Sequence, residues 1–440
     1  MKSKFNIKGL LDKFRKNDGE GTEDSEQPNI LGKVGSFFDP EPQKERVLNQ
    51  EDFRGAGDVY YASVSAFYKI AERLLWLVLA IFTAFSLATN YKEITYDNFF
   101  YLIRDFSAAA DSNTSNYQIL SYDSDDRQKF ALYKGGLVSA SPSSVSVFTA
   151  GGRRTLKSNN EYYSPNVICC DKYVLVYDTA GSAFSVYNSF SKIYNEKLES
   201  PITDACFNSG GAFALATRQN DIKTVIYLYS DDIKLRGRIP DNRFVFDMAL
   251  DDSQSRFAAL YYEAGSGTGQ TALCIYDVKS SSSAKMLKEI SLVGEFPLEC
   301  AFFENGSIAV VTNRSVRIYD KSFNEIAVQK LGESRVNAFD ASREGVAVVA
   351  GEGIQKSVFA FDKKGKLIYE GSIGENISAV KKMGDFIFLR TVSGVTRIDI
   401  NKKASEFLPS DSGKMLIYSE ETAIVCGEAK AEYLVFGKKK

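Results

Sequence analysis

Apolar and polar positions along this chain repeat in one short form: apolar, any residue, apolar, aromatic, then a small polar residue. The clearest copy is Val316-Arg317-Ile318-Tyr319-Asp320. Others begin at Val145, Phe184, Ile226, Leu273, Val358, Thr396 and Tyr433, and the Thr396 copy (Thr-Arg-Ile-Asp) lacks the aromatic. Successive starts lie 39, 42, 47, 43, 42, 38 and 37 residues apart. That spacing is the period of a four-stranded propeller blade. One unit shows the grammar. Leu298–Phe303 is an inner strand and Asn305-Gly306 a tight turn. Ile308–Thr312, Val316–Tyr319 and Glu325–Leu331 are the second, third and outer strands. Asn-Gly between apolar runs is a strong hairpin signal. The next unit repeats the order, with its turn at Glu344-Gly345.

The pattern predicts an all-β, eight-bladed propeller over residues 117–440. Its inner strands start near 129, 164, 202, 243, 297, 336, 377 and 413. A seven-bladed ring is the alternative if 129–159 is irregular, and a β-sandwich with accidental spacing is the competing architecture. Pro165, Pro201, Pro240 and Pro297 fall just before inner strands, where a missing amide donor is tolerated. The last copy is followed only by Gly-Lys-Lys-Lys, so it has no outer strand. Tyr117–Tyr122 is a strand with no unit of its own. Pairing the two, through Ile119, Leu120, Leu434 and Val435, would close the ring and remove the exposed edges of an open array.

A second pattern precedes the repeats. Leu74 to Tyr91 holds no charged residue. Eighteen helical residues span roughly 27 Å, enough for a bilayer core. The expected anchor residues are Leu74, Leu75, Trp76, Leu77, Val78, Leu79, Ile81, Phe82, Phe85 and Leu87, flanked by Lys69 and Arg73. The helix is expected over 59–91, with 74–91 as its apolar part. A buried core helix is the alternative. Arg54, Lys69 and Arg73 precede the run, while Lys92 and Arg104 follow it. Six basic residues against a single acid in the first sixteen add to the same side. By the positive-inside rule the N-terminus is cytoplasmic and the propeller extracytoplasmic. Residues 1–58 read as a mostly disordered tail, because 16–29 is polar and acidic. The opening MKSKFNIKGLLDKFRK is either a helix lying on an anionic membrane or an unstructured basic segment. Residues 92–116 read as a short amphipathic helix, with Phe99, Leu102, Ile103 and Phe106 on one stripe, followed by a linker.

Composition narrows the chemistry. Lysine and arginine total 54 against 56 acids, which signals no basic face for nucleic acid. There is no histidine, so Ser-His-Asp and Cys-His catalysis cannot be built. Cys169, Cys170, Cys206, Cys274, Cys300 and Cys426 form no CxxC pair, which disfavours zinc and redox sites. They are expected as buried free thiols, with a disulfide as the alternative. No phosphate loop accompanies Gly265, Gly267 and Gly269. Asp123, Asp125 and Asp126 lack calcium-loop spacing and read as a solvated turn. No catalytic, cofactor or metal residue is assigned.

The apolar-x-apolar-Tyr-Asp strand followed by a glycine turn resembles blades of the β-propeller superfamily, quinoprotein-like and WD-repeat-like. The sole tryptophan, Trp76, lies outside the repeats, so the tryptophan-docking, Trp-Asp and Asp-box signatures of those relatives are absent. The layout of tail, single span, Tyr96-Asp-Asn-Phe99 and propeller is similar to a family of single-pass bacterial membrane propeller proteins with a domain of unknown function. That resemblance implies a plasma-membrane location and a shape, and no activity. The expectation is a membrane-anchored binding or scaffolding module whose top-face loops meet an envelope protein or cell-wall polymer. A transmembrane sensor and a hydrolase with acidic channel residues are the alternatives.

Overall fold

The computed structural model describes residues 56–89 and 119–437, apart from 126, 265–268, 280–283, 333 and 412. The chain divides into two units, Met1–Ile94 and Thr95–Lys440. The tail before 56 and the helix expected within 92–116 lie outside the described residues.

In the first unit, one helix runs Ala56–Thr89. It begins three residues before the expected start at 59. Its described side chains, 67–85, are all exposed, including the consecutive positions Leu74 to Leu79. Among the described residues no helix is long and apolar enough to cross a membrane. Those side chains include Lys69, Glu72 and Arg73 and stop at Phe85, so Ser86 to Tyr91, with Leu87, lie beyond them.

The second unit is an eight-bladed β-propeller. Among the described residues thirty-two strands form eight four-stranded sheets. Blades 1 to 8 have inner strands Lys129–Tyr133, Pro165–Cys169, Ile202–Phe207, Phe244–Leu250, Pro297–Phe302, Val336–Ser342, Ile377–Met383 and Lys414–Ser419. Each start is within one residue of the position read from the repeat. Neighbouring inner strands touch all the way round, the eighth meeting the first, so they encircle a central channel. Blade 1, the weakest unit in the sequence, is a regular sheet. Pro240 differs from the expectation. It lies within the outer strand Leu235–Asp241 of blade 3, where one edge needs no donor.

Every copy of the sequence pattern is the third strand of its blade. The aromatic has a specific job. At Phe148, Tyr187, Tyr229, Tyr276, Tyr319 and Phe361 the pairing with the fourth strand shifts by one residue, a β-bulge. The aromatic side chain is buried between blades at each of these positions. Blade 7, whose copy lacks the aromatic, pairs without a break from Gly394–Pro409 to Asp399–Ala404. The small polar residue then organises the turn. Asp320 accepts the backbone N–H groups of Ser322 and Asn324 at 2.8 and 2.9 Å, and Asp362 accepts those of Lys364 and Lys366 at 2.9 Å.

Eight apolar clusters hold the ring, each built by two neighbouring blades. Second strands such as Val174–Asp178 and Ile308–Thr312 are buried at every residue, because both faces of each sheet are covered. Such strands read as continuous apolar runs rather than alternations.

Ile119–Ser121 is the outer strand of blade 8 and pairs antiparallel with Lys430–Val435. The register puts Ile119 opposite Glu432 and Leu120 opposite Ala431. Leu434 and Val435 instead face Ala423 and Thr422 on the second strand of that blade. The contact therefore lies nearer the start of the last strand than the Leu434–Val435 end. Tyr122 fixes this register by donating its hydroxyl to the carbonyls of Gly427 and Lys430 at 2.7 and 2.9 Å.

All six cysteines are free; Cys274, Cys300 and Cys426 are buried and the others half-buried.

Candidate functional site: the channel and the upper face

In an antiparallel blade of order 1-2-3-4, the start of strand 1, the turn between strands 2 and 3 and the end of strand 4 share one face. Here that upper face carries the blade crossings and the second-to-third turns. The lower face carries the first-to-second and third-to-fourth turns. Ile119–Ser121 runs from the lower face to the upper, and Lys430–Val435 runs back down.

The two faces differ in chemistry. On the lower face, turns of different blades are tied together by polar contacts. Asp252 pairs with Arg343 and accepts the Ser209 hydroxyl at 2.6 Å. Glu304 pairs with Lys363 at 2.7 Å, and Glu344 accepts the Gly384 N–H at 2.7 Å. The upper face instead exposes large apolar side chains on its loops: Tyr163 (75%), Phe296, Ile354 and Val392 (80%). Leaving aside the outer strands, the only exposed large apolar residue described towards the lower end is Tyr418. The Arg127 guanidinium sits 4.7 Å from the centre of the Tyr163 ring.

Inner strands have one edge with no neighbour, so their amide groups need other partners. Two features mark these strands, of which the second meets that need. The first is a bulge near the upper end of the inner strand in blades 3 to 7, which leaves Thr203, Phe246, Leu298, Asn337 and Ser378 unpaired there. Bulges re-aim side chains next to functional surfaces. The second is a chain of carboxylates, each reaching the next blade. Asp247 accepts the Cys300 N–H at 2.6 Å, Glu299 the Ala341 N–H at 2.7 Å, and Asp340 the Lys382 N–H at 3.2 Å. Asp340 also pairs with Lys381. Asp204, next in the series, has an Oδ2 hidden from water with no hydrogen-bond partner.

The inner strands thus carry Asp204, Asp247, Glu299 and Asp340 on blades 3 to 6, and Lys381, Lys414 and Lys129 on blades 7, 8 and 1. Burial, opposed by one backbone hydrogen bond, raises Asp204 to about 7. Burial and then the Asp204 charge raise Asp247 to about 7. Burial, Asp340 and Asp247 raise Glu299 to about 8, against the pull of Lys381. Burial works against the charge on Lys381, but Asp340 and Glu299 outweigh it and its pKa is raised. Burial, together with Lys129 and Lys381, lowers that of Lys414.

Phe246, Tyr262 and Phe296 form an edge-to-face trio at the upper ends of blades 4 and 5, with ring centres 4.9 to 5.7 Å apart. Phe246 directly precedes Asp247, and Phe296 lies three residues before Glu299. Glu295, just before Phe296, is half-buried. It accepts the hydroxyls of Thr312 and Ser315 and pairs with Arg317 at 2.8 Å. This network pins the crossing that carries Phe296.

Sequence reasoning placed no side chain in the channel. Asp204, Asp247 and Glu299 sit in runs that look like ordinary inner strands, and only their recurrence just after the bulges marks them. Asp123, one of the acids read as turn residues, does behave as such. Asp123 pairs with Lys157 and Arg154 at 2.8 and 3.4 Å, which holds its carboxyl below the ordinary range. Among the described residues no group of three or more Cys, Asp or Glu side chains is arranged to hold a metal ion.

Sqt1 from Chaetomium thermophilum superposes with a TM-score of 0.53 at 11% identity, over 72% of this chain and 97% of that one. BamB from Moraxella catarrhalis gives 0.49 at 12% identity, over 73% and 99%. At these identities the likeness concerns the fold alone. No curated protein matches the sequence. No enzymatic family is indicated. Residues 110–427 match the model of DUF5711, a family of unknown function, and the chain belongs to that family.

Proposed function

We propose that the chain is a membrane-anchored binding module, with the helix spanning the plasma membrane of a bacterium and the propeller, outside the cytoplasm, presenting its upper face to an envelope partner. The observation that carries the binding role is the segregation of exposed loop-borne apolar residues to one face, while the other is tied up in polar contacts. Large aromatic and aliphatic side chains on loops suit protein recognition.

Anchoring rests on the helix and its sequence. Leu74 to Leu79 are exposed on every side of the helix, and such all-round apolarity calls for apolar surroundings. The Thr83 hydroxyl donates to the Leu79 carbonyl at 2.7 Å, which satisfies that polar group within the helix. The uncharged run continues to Tyr91.

Proteinase K added to intact protoplasts tests the topology. Digestion of 119–437 with survival of an N-terminal fragment is expected, and a protected propeller overturns it. Crosslinking in intact cells followed by mass spectrometry tests the partner, which is expected to bridge to Tyr163, Ile354 or Val392 loops.

One observation favours a hydrolase as a second reading. Asp204 and Asp247 are adjacent-blade carboxyls that burial raises to about 7, the range in which a general acid works near neutrality. Release of sugars from cell-wall glycan by the wild type and not by Asp204→Asn would establish it.

A further inference from the structure

We infer that the channel mouth at blades 3 to 5 is a receptor for a cationic side chain, a lysine or arginine on an extended polypeptide, with its apolar neighbours seated on Phe246, Tyr262 and Phe296. The inference rests on the binding-module reading above and gives that module the chemistry of its ligand.

Three independent features converge there. The first is the aromatic trio, two of whose members, Phe246 and Phe296, are 41% and 38% exposed despite their size. Rings that pack on one another yet remain open offer apolar area at low entropic cost and a face for a cation. The second is a set of carboxyls without an ion pair. Asp204, Asp247 and Glu299 come from three successive inner strands. Among the described residues none meets a lysine or arginine at ion-pair distance. Asp340, the next acid round the ring, does have such a partner in Lys381. The third is Asp204 Oδ2, a buried acceptor without a donor. A buried acceptor left unmatched is costly, and an arriving N–H donor would supply the missing hydrogen bond.

The geometry also orders these parts. The bulge puts Phe246 at the upper end of its strand, and Asp247 follows one residue further in. Phe296 leads into the next inner strand, and Glu299 follows three residues on. A chain lying across the upper face would meet rings first and carboxyls deeper. A long flexible stem with a terminal cation matches that sequence of surfaces. Glu295 is not part of the receptor, since Thr312, Ser315 and Arg317 already occupy it.

The probe is a pool of acetylated, amidated hexapeptides with one central lysine and varied apolar flanks, against the same pool with norleucine in its place. Binding to the full-length chain in detergent micelles is read by fluorescence anisotropy. Lysine peptides are expected to bind and norleucine peptides to bind at least tenfold more weakly. Phe296→Ala and Asp247→Asn should each weaken the lysine pool about tenfold. The surface variant Phe296→Ala keeps the test valid if Asp247→Asn fails to fold. Equal binding of the two pools, no binding by either, or an unchanged Phe296→Ala overturns the inference. So does equally potent competition by a chitosan pentamer, which would assign the site to an amino-sugar polymer. Because no intact membrane enters this experiment, a failed topology result leaves it unaffected.

Discussion

Leu120 stands directly opposite Ala431, joining the first strand of the propeller to its last. Both are buried, and Leu120 packs in the cluster shared by blades 8 and 1 with Phe130, Leu137 and Ile424. A single outer strand of three residues therefore covers the edge of Lys430–Val435 and contributes to the junction that closes the ring. Leu120→Ala should destabilise the domain by about 2–4 kcal/mol, the usual cost of truncating a buried leucine. Leu120→Asp should do more, because it detaches the strand and bares an edge that can pair with other chains. Calorimetry should show a lowered, broadened melt, and size-exclusion chromatography should show self-association for the aspartate variant. An unchanged melt in both would mean that the closing strand contributes nothing to stability.

Gly365 and Gly237 make a controlled pair. Gly365 ends a third-to-fourth turn at φ +81°, and a Cβ there would lie 3.1 Å from that of Ala327. Gly237 lies in an outer strand with nothing within 4 Å of a built Cβ and no positive φ. Gly365→Ala should cost about 1–2 kcal/mol through left-handed strain. Gly237→Ala should be neutral or stabilising by up to roughly 1 kcal/mol, because it restricts the unfolded chain. Urea midpoints of the two variants measure the difference directly. Equal effects would remove the backbone argument.

The repeat made the blades legible because each unit buries the same residues against its neighbours. Tyr319, Phe361 and their equivalents must be large to fill an inter-blade cluster, and Asp320 and Asp362 must be polar to organise the turn. Both demands are local and recur, so they leave a period in the sequence. The bulge that the aromatic marks is also local, and the Thr396 copy, which has no ring, has no bulge. The channel was not legible for the opposite reason. Asp204, Asp247 and Glu299 are far apart in the chain and meet only after eight inner strands have been brought around one axis. Their environment, not their identity, makes them unusual. The segregation of Tyr163, Ile354 and Val392 to one face was hidden in the same way, since face is a property of topology and not of spacing.

The channel acids give stability a particular pH dependence. Burial raises Asp204 and Asp247 to about 7 and Glu299 to about 8, with Asp340, Lys381 and one another as the charged groups around them. In the unfolded chain these carboxyls ionise near 4. Their contribution is therefore complete below pH 4 and declines as pH rises through 7 to 8, because ionisation is harder in the folded state. Each should lower stability by about 1 kcal/mol per pH unit within that window. Asp204→Asn removes one such group. Urea denaturation should find the variant gaining on the wild type from about pH 4 to 7, with the gap level above that. A constant gap over that range would show that Asp204 ionises in the folded protein as it does in water.

Glu295 should produce the opposite limb. Burial opposes its charge, but hydrogen bonds from Ser315, Thr312 and Arg317 outweigh that and hold its pKa below the ordinary value. A depressed carboxyl contributes stability that is present above its unfolded pKa and is lost as pH falls through the folded one. Glu295→Gln exchanges an acceptor-only carboxylate for an amide that presents its own donors to Arg317. At pH 7 the substitution should cost about 1–3 kcal/mol, the range for leaving buried polar groups mismatched. At pH 3 the carboxyl of the unfolded chain is already largely protonated, so part of the wild-type advantage is lost and the gap should narrow. The same variant loosens the crossing that carries Phe296, so anisotropy with the lysine peptides should weaken. A stability gap as wide at pH 3 as at pH 7 would show that Glu295 acts through packing, and the acid limb would then need another source.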